Sequence, residues 1–333
     1  MSKAHEAYQE KSSSLPPAPP IYGNYAEPPF PPQAYDIPPV VTNEEARLQA
    51  FRNVIARHEI SNFMALKLRK LEAYDIVIIA DDSGSMQTRS TLGLSTNDPF
   101  AKTSTRWDEL KSTVSIVTEI GAALDEDGVD IYFLNRPPVR NVTGPTAEMN
   151  SAFASPPMGY TPIARVLRQV LREKGLGQGE NAKKLLILIA TDGQPTTDQG
   201  QIDKQGLHHV LMYERGSNPS SGNVPIVFLA CTDDENEIAY LNEWDKRVPC
   251  LDVVDDYYSE RKEILAVQGN GFPFSRGDWV CKALLGAIDP EIDALDERRM
   301  FGTSNTLGVP AGAGVSRRLS TRSNTGKKEC VTM

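Results

Sequence analysis

Basic charge, histidine, paired cysteines and long apolar runs are all scarce in this 333-residue chain, and each scarcity bears on function. Lys and Arg number 35 against 44 Asp and Glu, a net charge of −9, with a sequence pI near 5.1. That balance argues against a general nucleic-acid-binding surface, so no nucleic acid is expected as a partner. The four cysteines, Cys231, Cys250, Cys281 and Cys330, form no CxxC pair, which argues against a zinc site or a dense disulfide framework. The pair His208-His209 falls within a predicted helix without a third ligand and reads as ordinary packing. No apolar run approaches the roughly 18 residues that span a bilayer. Met1 to Lys11 lacks the apolar core of a signal peptide. A cytoplasmic location is the expectation, unless a lipid or partner takes the chain to a membrane. Phosphate-cradling P-loops and G-x-G-x-x-G runs are absent as well.

What is abundant is punctuated by region. Residues 1–41 are rich in proline, with Pro-Pro pairs starting at 16, 19, 28, 31 and 38. Such a composition cannot build a packed core and predicts a disordered, polyproline-like leader. Within it, Pro19-Pro20-Ile21-Tyr22 matches the PPxY ligand of WW domains, in which a rigid left-handed helix presents prolines to aromatic grooves. Residues 42–72 read as a helical segment, with Thr42 or Asn43 at its cap, Glu44 and Glu45 in its first turn, and Leu48, Phe51 and Ile55 at helical spacing. From about residue 73 to 297, apolar strands rich in Val, Ile and Leu (75–80, 129–134, 185–191, 225–231, 250–254) alternate with helical stretches (106–124, 162–174, 200–214, 234–246, 257–267, 275–287). This alternation predicts an α/β fold: a doubly wound, mainly parallel sheet with helices on both faces. The connection 135–160 reads as irregular, with room for a short edge strand near Val139 to Val142. Residues 298–333 revert to Gly, Ser, Thr, Asn and Arg, a disordered basic tail.

The chemistry concentrates where the strands end. Asp75 to Ala80 is an apolar run that stops in Asp81-Asp82-Ser83-Gly84-Ser85, at the edge where open α/β sheets place ligands. Asp81, Ser83 and Ser85 alternate around a glycine, so one turn brings three oxygens together, a donor set suited to a hard cation such as Mg²⁺. Leu185 to Ala190 repeats the strand signature and ends in Thr191-Asp192-Gly193. Gly159-Tyr160-Thr161-Pro162 precedes a helix, with proline in its first turn and the Thr161 hydroxyl free to point outward. Ser, Thr and Asp also serve as caps and turns, but that use alone does not explain why all five fall at one edge.

D-x-S-x-S, a G-x-T-P loop and a later T-D-G, in that order and about 80 and then about 30 residues apart, resemble the von Willebrand factor A domain and its metal-ion-dependent adhesion site. The resemblance covers roughly residues 74 to 290. It implies a Rossmann-like sheet with one antiparallel edge strand, binding Mg²⁺ or Mn²⁺ at Asp81, Ser83, Ser85, Thr161 and Asp192. It further implies direct ligation by the hydroxyls, aspartates that often act through water, and a coordination position open to a carboxylate from a partner protein. Asp82 stands at the variable position, where its charge either strengthens cation attraction or faces solvent.

The tail carries a second signal. Cys330-Val331-Thr332-Met333 fits the C-a-a-X prenylation box, and a final methionine favours farnesyl. One lipid binds membranes marginally, so the upstream Lys327, Lys328 and arginines form a sensible second attraction to anionic lipid. Arg317-Arg318-Leu319-Ser320 has the pattern basophilic kinases favour, marking Ser320 as a candidate phosphosite.

Together these features predict a non-enzymatic, membrane-associated intracellular adaptor or scaffold that captures an acidic partner through a bound cation. Copines resemble it in coupling an intracellular A domain to membranes, but C2 domains are lacking here. The alternative is a Mg²⁺-dependent phosphohydrolase of haloacid-dehalogenase type. That chemistry needs a D-x-D pair, and the position two after Asp81 is Ser83, which removes the general acid.

Overall fold

The computed structural model describes residues 43–90, 104–174, 183–216, 223–232 and 234–300. Six strands, β1 (Tyr74–Ala80), β2 (Val129–Phe133), β3 (Val139–Val142), β4 (Lys184–Thr191), β5 (Ile226–Ala230) and β6 (Leu251–Val254), form one sheet in the order β3-β2-β1-β4-β5-β6. Every neighbouring pair is parallel except β2 and β3. The predicted α/β class, mainly parallel sheet and edge strand at 139–142 are all present.

The helices include α1 (Asn43–Arg57), α2 (Asn62–Leu68), α3 (Arg106–Leu124), α4 (Ala147–Ala154), α5 (Ile163–Lys174), α6 (Lys204–His209), α7 (Glu235–Asp245), α8 (Tyr257–Gln268) and α9 (Arg276–Leu285). Side chains alternate across a strand, so a strand covered on both faces must be apolar throughout. β1 follows this rule from Ile76 onward. Ile76, Ile78 and Ala80 pack into one core with Val54, Leu110 and Val280 of α1, α3 and α9. Val77 and Ile79 pack into a second core with Leu167, Leu207 and Leu241 of α5, α6 and α7. Among the described residues no helix is long and apolar enough to cross a membrane.

Two local expectations change. A single helix over 200–214 gives way to a turn through residue 203, then α6, then a π-turn at Val210–Glu214. The break lies at Asp203, whose carboxylate accepts the Gly206 N–H at 2.9 Å and caps the helix there. The 135–160 connection contains α4, capped by the Thr146 hydroxyl on the Met149 N–H at 3.2 Å. Its buried face comprises Met149 and Phe153, too few apolar positions to reveal a period.

The helical segment before β1 shares the first core, contributing Val54, Ile60, Met64, Leu68 and Leu71. Its turn at 58–61 docks on the start of α9. Asp278 Oδ1 accepts the Ser61 N–H at 2.7 Å, and a Cβ at Gly277 would lie 2.2 Å from the His58 carbonyl oxygen. The obstacle is backbone on both sides and cannot rotate away. Gly277→Ala is therefore expected to cost about 1–3 kcal/mol in urea unfolding, the usual range for overpacking.

Candidate metal centre

β1 and β4 are neighbours, paired in register from Tyr74 with Lys184 to Ala80 with Ala190. The chain leaves β1 for β2 on one side and reaches β4 on the other, so the strand order reverses between them. Open α/β sheets form a crevice at that point, outside the carboxyl ends of the strands. Asp81 and Asp192 emerge there side by side, and the Asp81 N–H still donates to the Ala190 carbonyl at 2.9 Å.

Beyond the strand ends, side chains take over the hydrogen bonding. Asp81 Oδ1 accepts the Ser83 N–H at 2.8 Å, and Oδ2 accepts the Thr191 hydroxyl at 2.6 Å. Ser83 Oγ lies 3.0 Å from Ser85 Oγ, and Ser85 Oγ donates to Asp192 Oδ1 at 2.7 Å. Four of the five residues singled out in the sequence thus belong to one connected group. Thr161 is placed beside this group by the loop that carries it. Its loop is tied to the first by Gly84 N–H to Gly159 O at 3.2 Å and Met158 N–H to Asp82 O at 2.7 Å. On its other side, Thr161 N–H donates to Thr196 Oγ1 at 2.9 Å. Its own hydroxyl makes no hydrogen bond among the described residues.

This arrangement suits a small hard cation. With metal–oxygen bonds of about 2.1 Å, adjacent ligands of an octahedral Mg²⁺ lie about 3.0 Å apart, close to the Ser83–Ser85 hydroxyl separation of 3.0 Å. The donors are two carboxylates and three hydroxyls. Among the described residues no three His, Cys, Asp or Glu side chains gather as metal ligands, so any cation here relies on neutral oxygens. Burial, then repulsion from Asp192, pushes the Asp81 carboxyl up to about 7 against the pull of its bonds from Ser83 and Thr191. A divalent cation would relieve that repulsion.

Three charged residues take roles that the motifs do not reveal. Arg106, at the first turn of α3, donates from Nη1 to Asp192 Oδ2 at 2.9 Å and from Nη2 to Thr232 Oγ1 at 2.8 Å. Asp82 neither faces solvent nor lines the cluster. It is fully buried, accepting Arg136 Nε at 2.6 Å and the Asn135 N–H at 2.8 Å. Arg136 also bonds the carbonyls of Ala152, Ser155 and Pro156, so this pair shapes the loop that leads to Thr161. Asp81 and Asp82 are both fully buried, and adjacent aspartates give no hint in the sequence of which one pairs with an arginine. The candidate residues Pro19, Pro20, Tyr22, Ser320 and Cys330 lie outside the described residues. No protein-family model matches the chain, and no curated protein matches it.

Proposed function

We propose that this chain is a von Willebrand factor A-type protein that holds Mg²⁺ or Mn²⁺ at Asp81, Ser83, Ser85, Thr161 and Asp192 and uses it to grip a carboxylate on another protein. The observation that carries the reading is the hydrogen-bonded run Asp192–Ser85–Ser83, which draws the ends of β1 and β4 into one oxygen cluster. The strand order and the single antiparallel edge strand support the same Rossmann-like A-domain architecture. When bound, the cation supplies a Lewis-acidic position for a partner's carboxylate. The chain's own residues orient that position: the hydroxyls present neutral oxygens, and Asp81 stays behind them, held by Ser83 and Thr191. Hydrolysis finds no support in the loop. The one further acid, Asp82, is locked by Arg136 and Asn135 and is not placed to move a proton. In this reading Pro19, Pro20 and Tyr22 recruit a WW-domain protein, and a lipid on Cys330 with the basic tail brings the adaptor to the cytosolic face of a membrane.

Titration calorimetry with Mg²⁺ and Mn²⁺ tests the centre. Wild type is expected to bind either ion, with Ser83→Ala and Thr161→Ala each weakening it by about tenfold, the loss of one neutral oxygen from a geometry-demanding shell. Affinity unchanged in both variants would end the metal assignment.

A further inference from the structure

Seven large apolar side chains are exposed among the described residues, and three of them, Met158, Tyr160 and Ile202, sit on the loops around the metal centre. Their exposures are 67%, 54% and 65%. Leaving such groups in water gains nothing for folding, and clustered exposure marks interaction surface. Their backbones are nonetheless fixed. Met158 N–H is bonded to the Asp82 carbonyl beside Ser83. The Tyr160 carbonyl accepts Asn135 Nδ2 at 2.8 Å, and its ring lies so close over Gly200 that a Cβ there would sit 2.5 Å from it. Ile202 is bridged antiparallel to Thr196, the residue that bonds both backbone groups of Thr161. Arg165 fastens the same loop by pairing with Asp198 at 2.8 Å while bonding the Leu134 carbonyl. A rigid aromatic beside a polar spot binds at low entropic cost, the usual character of an interface hot spot.

Charge limits what can sit beside this rim. Asp82 is neutralised by Arg136, and Arg106 stands against Asp192. A divalent cation added to Asp81, Asp192 and Arg106 leaves one net positive charge, which a single carboxylate cancels. A phosphate dianion would overshoot.

We propose that the centre reads a two-part protein segment: one Asp or Glu side chain for the cation, and within a few residues a large apolar side chain that lies on Met158, Tyr160 and Ile202. This rests on the metal-bridged reading above and adds the determinant of which acidic segment is chosen. The probe is a displayed library of random peptides, selected on the full-length protein in Mg²⁺ and eluted with EDTA. The eluted pool is expected to pair Asp or Glu with nearby Leu, Ile, Phe or Trp. Tyr160→Ser and Ile202→Ser should each weaken a selected synthetic peptide by about tenfold, as losing one buried apolar contact does, with Mg²⁺ affinity in calorimetry unchanged. Replacing the peptide's apolar residue by Ser should cost the same factor, with no further loss on Tyr160→Ser. Acidic peptides without an apolar neighbour, or full affinity in both variants, would overturn the rim while leaving the cation grip standing. Peptides retained equally in EDTA, or no heat with Mg²⁺ alone, would overturn the grip and the rim with it.

Discussion

Arg136→Met is expected to cost about 3–5 kcal/mol in equilibrium unfolding, because it leaves Asp82 as a buried carboxylate without its cation. Asp82 is fully buried and the Arg136 side chain is 16% exposed, so water does not replace the lost partner. The guanidinium also bonds three backbone carbonyls and stacks over Trp107 and Phe133 at 5.1 and 5.6 Å. Methionine retains much of the apolar contact and none of the donors. The double variant Arg136→Met with Asp82→Asn removes the stranded charge and should recover a large part of the loss. That recovery separates electrostatics from packing. The same single variant loosens the loop carrying Thr161, so Mg²⁺ affinity should fall alongside stability. A cost below about 1 kcal/mol would show that Asp82 does not depend on Arg136 as its counter-charge.

The contrast between Asp81 and Asp82 marks where sequence reasoning works. Strand positions were readable because two-sided burial demands unbroken apolar runs, and observed β1, β4 and β5 begin and end within one residue of the predicted spans. The hydrogen-bonded cluster of Asp81, Ser83, Ser85 and Asp192 was readable because small oxygen-bearing side chains stand where the apolar strands end. Arg106 was not. It sits inside the Thr105–Asp108 capping box and looks like any polar residue of a first turn, with its partner Asp192 lying 86 residues away. Arg136 was hidden in the same way, within a stretch whose Pro137-Pro138 pair reads as an irregular loop. Long-range ion pairs leave no local period. The backbone ties between Gly159 and Gly84, which place Thr161 beside the first loop, are equally silent in sequence because any residue type can make them.

Asp192→Asn and Arg106→Met should shift cation affinity in opposite directions although the two side chains form one ion pair. Asp192 Oδ1 holds Ser85 and Oδ2 holds Arg106, so the carboxylate is shared between the oxygen cluster and a competing cation. Converting it to an amide keeps the side chain's shape and one acceptor oxygen for Arg106, with the NH2 left to donate to Ser85 Oγ, and removes one of two negative charges. Mg²⁺ binding should weaken by about a hundredfold, since charge rather than geometry is what is lost. Arg106→Met removes the competitor and one positive charge, so Mg²⁺ should bind about tenfold more tightly. The gain comes at the partner's expense. Without Arg106 the loaded centre carries no excess positive charge, and acidic peptides should bind more weakly even as the metal binds better. In EDTA the same variant leaves Asp192, 2% exposed, without a cation, so its melting temperature should drop below wild type and Mg²⁺ should restore most of the difference. If both substitutions weaken Mg²⁺ binding, Arg106 is holding Asp192 in place for the metal rather than competing with it, and the charge balance that selects a carboxylate partner fails.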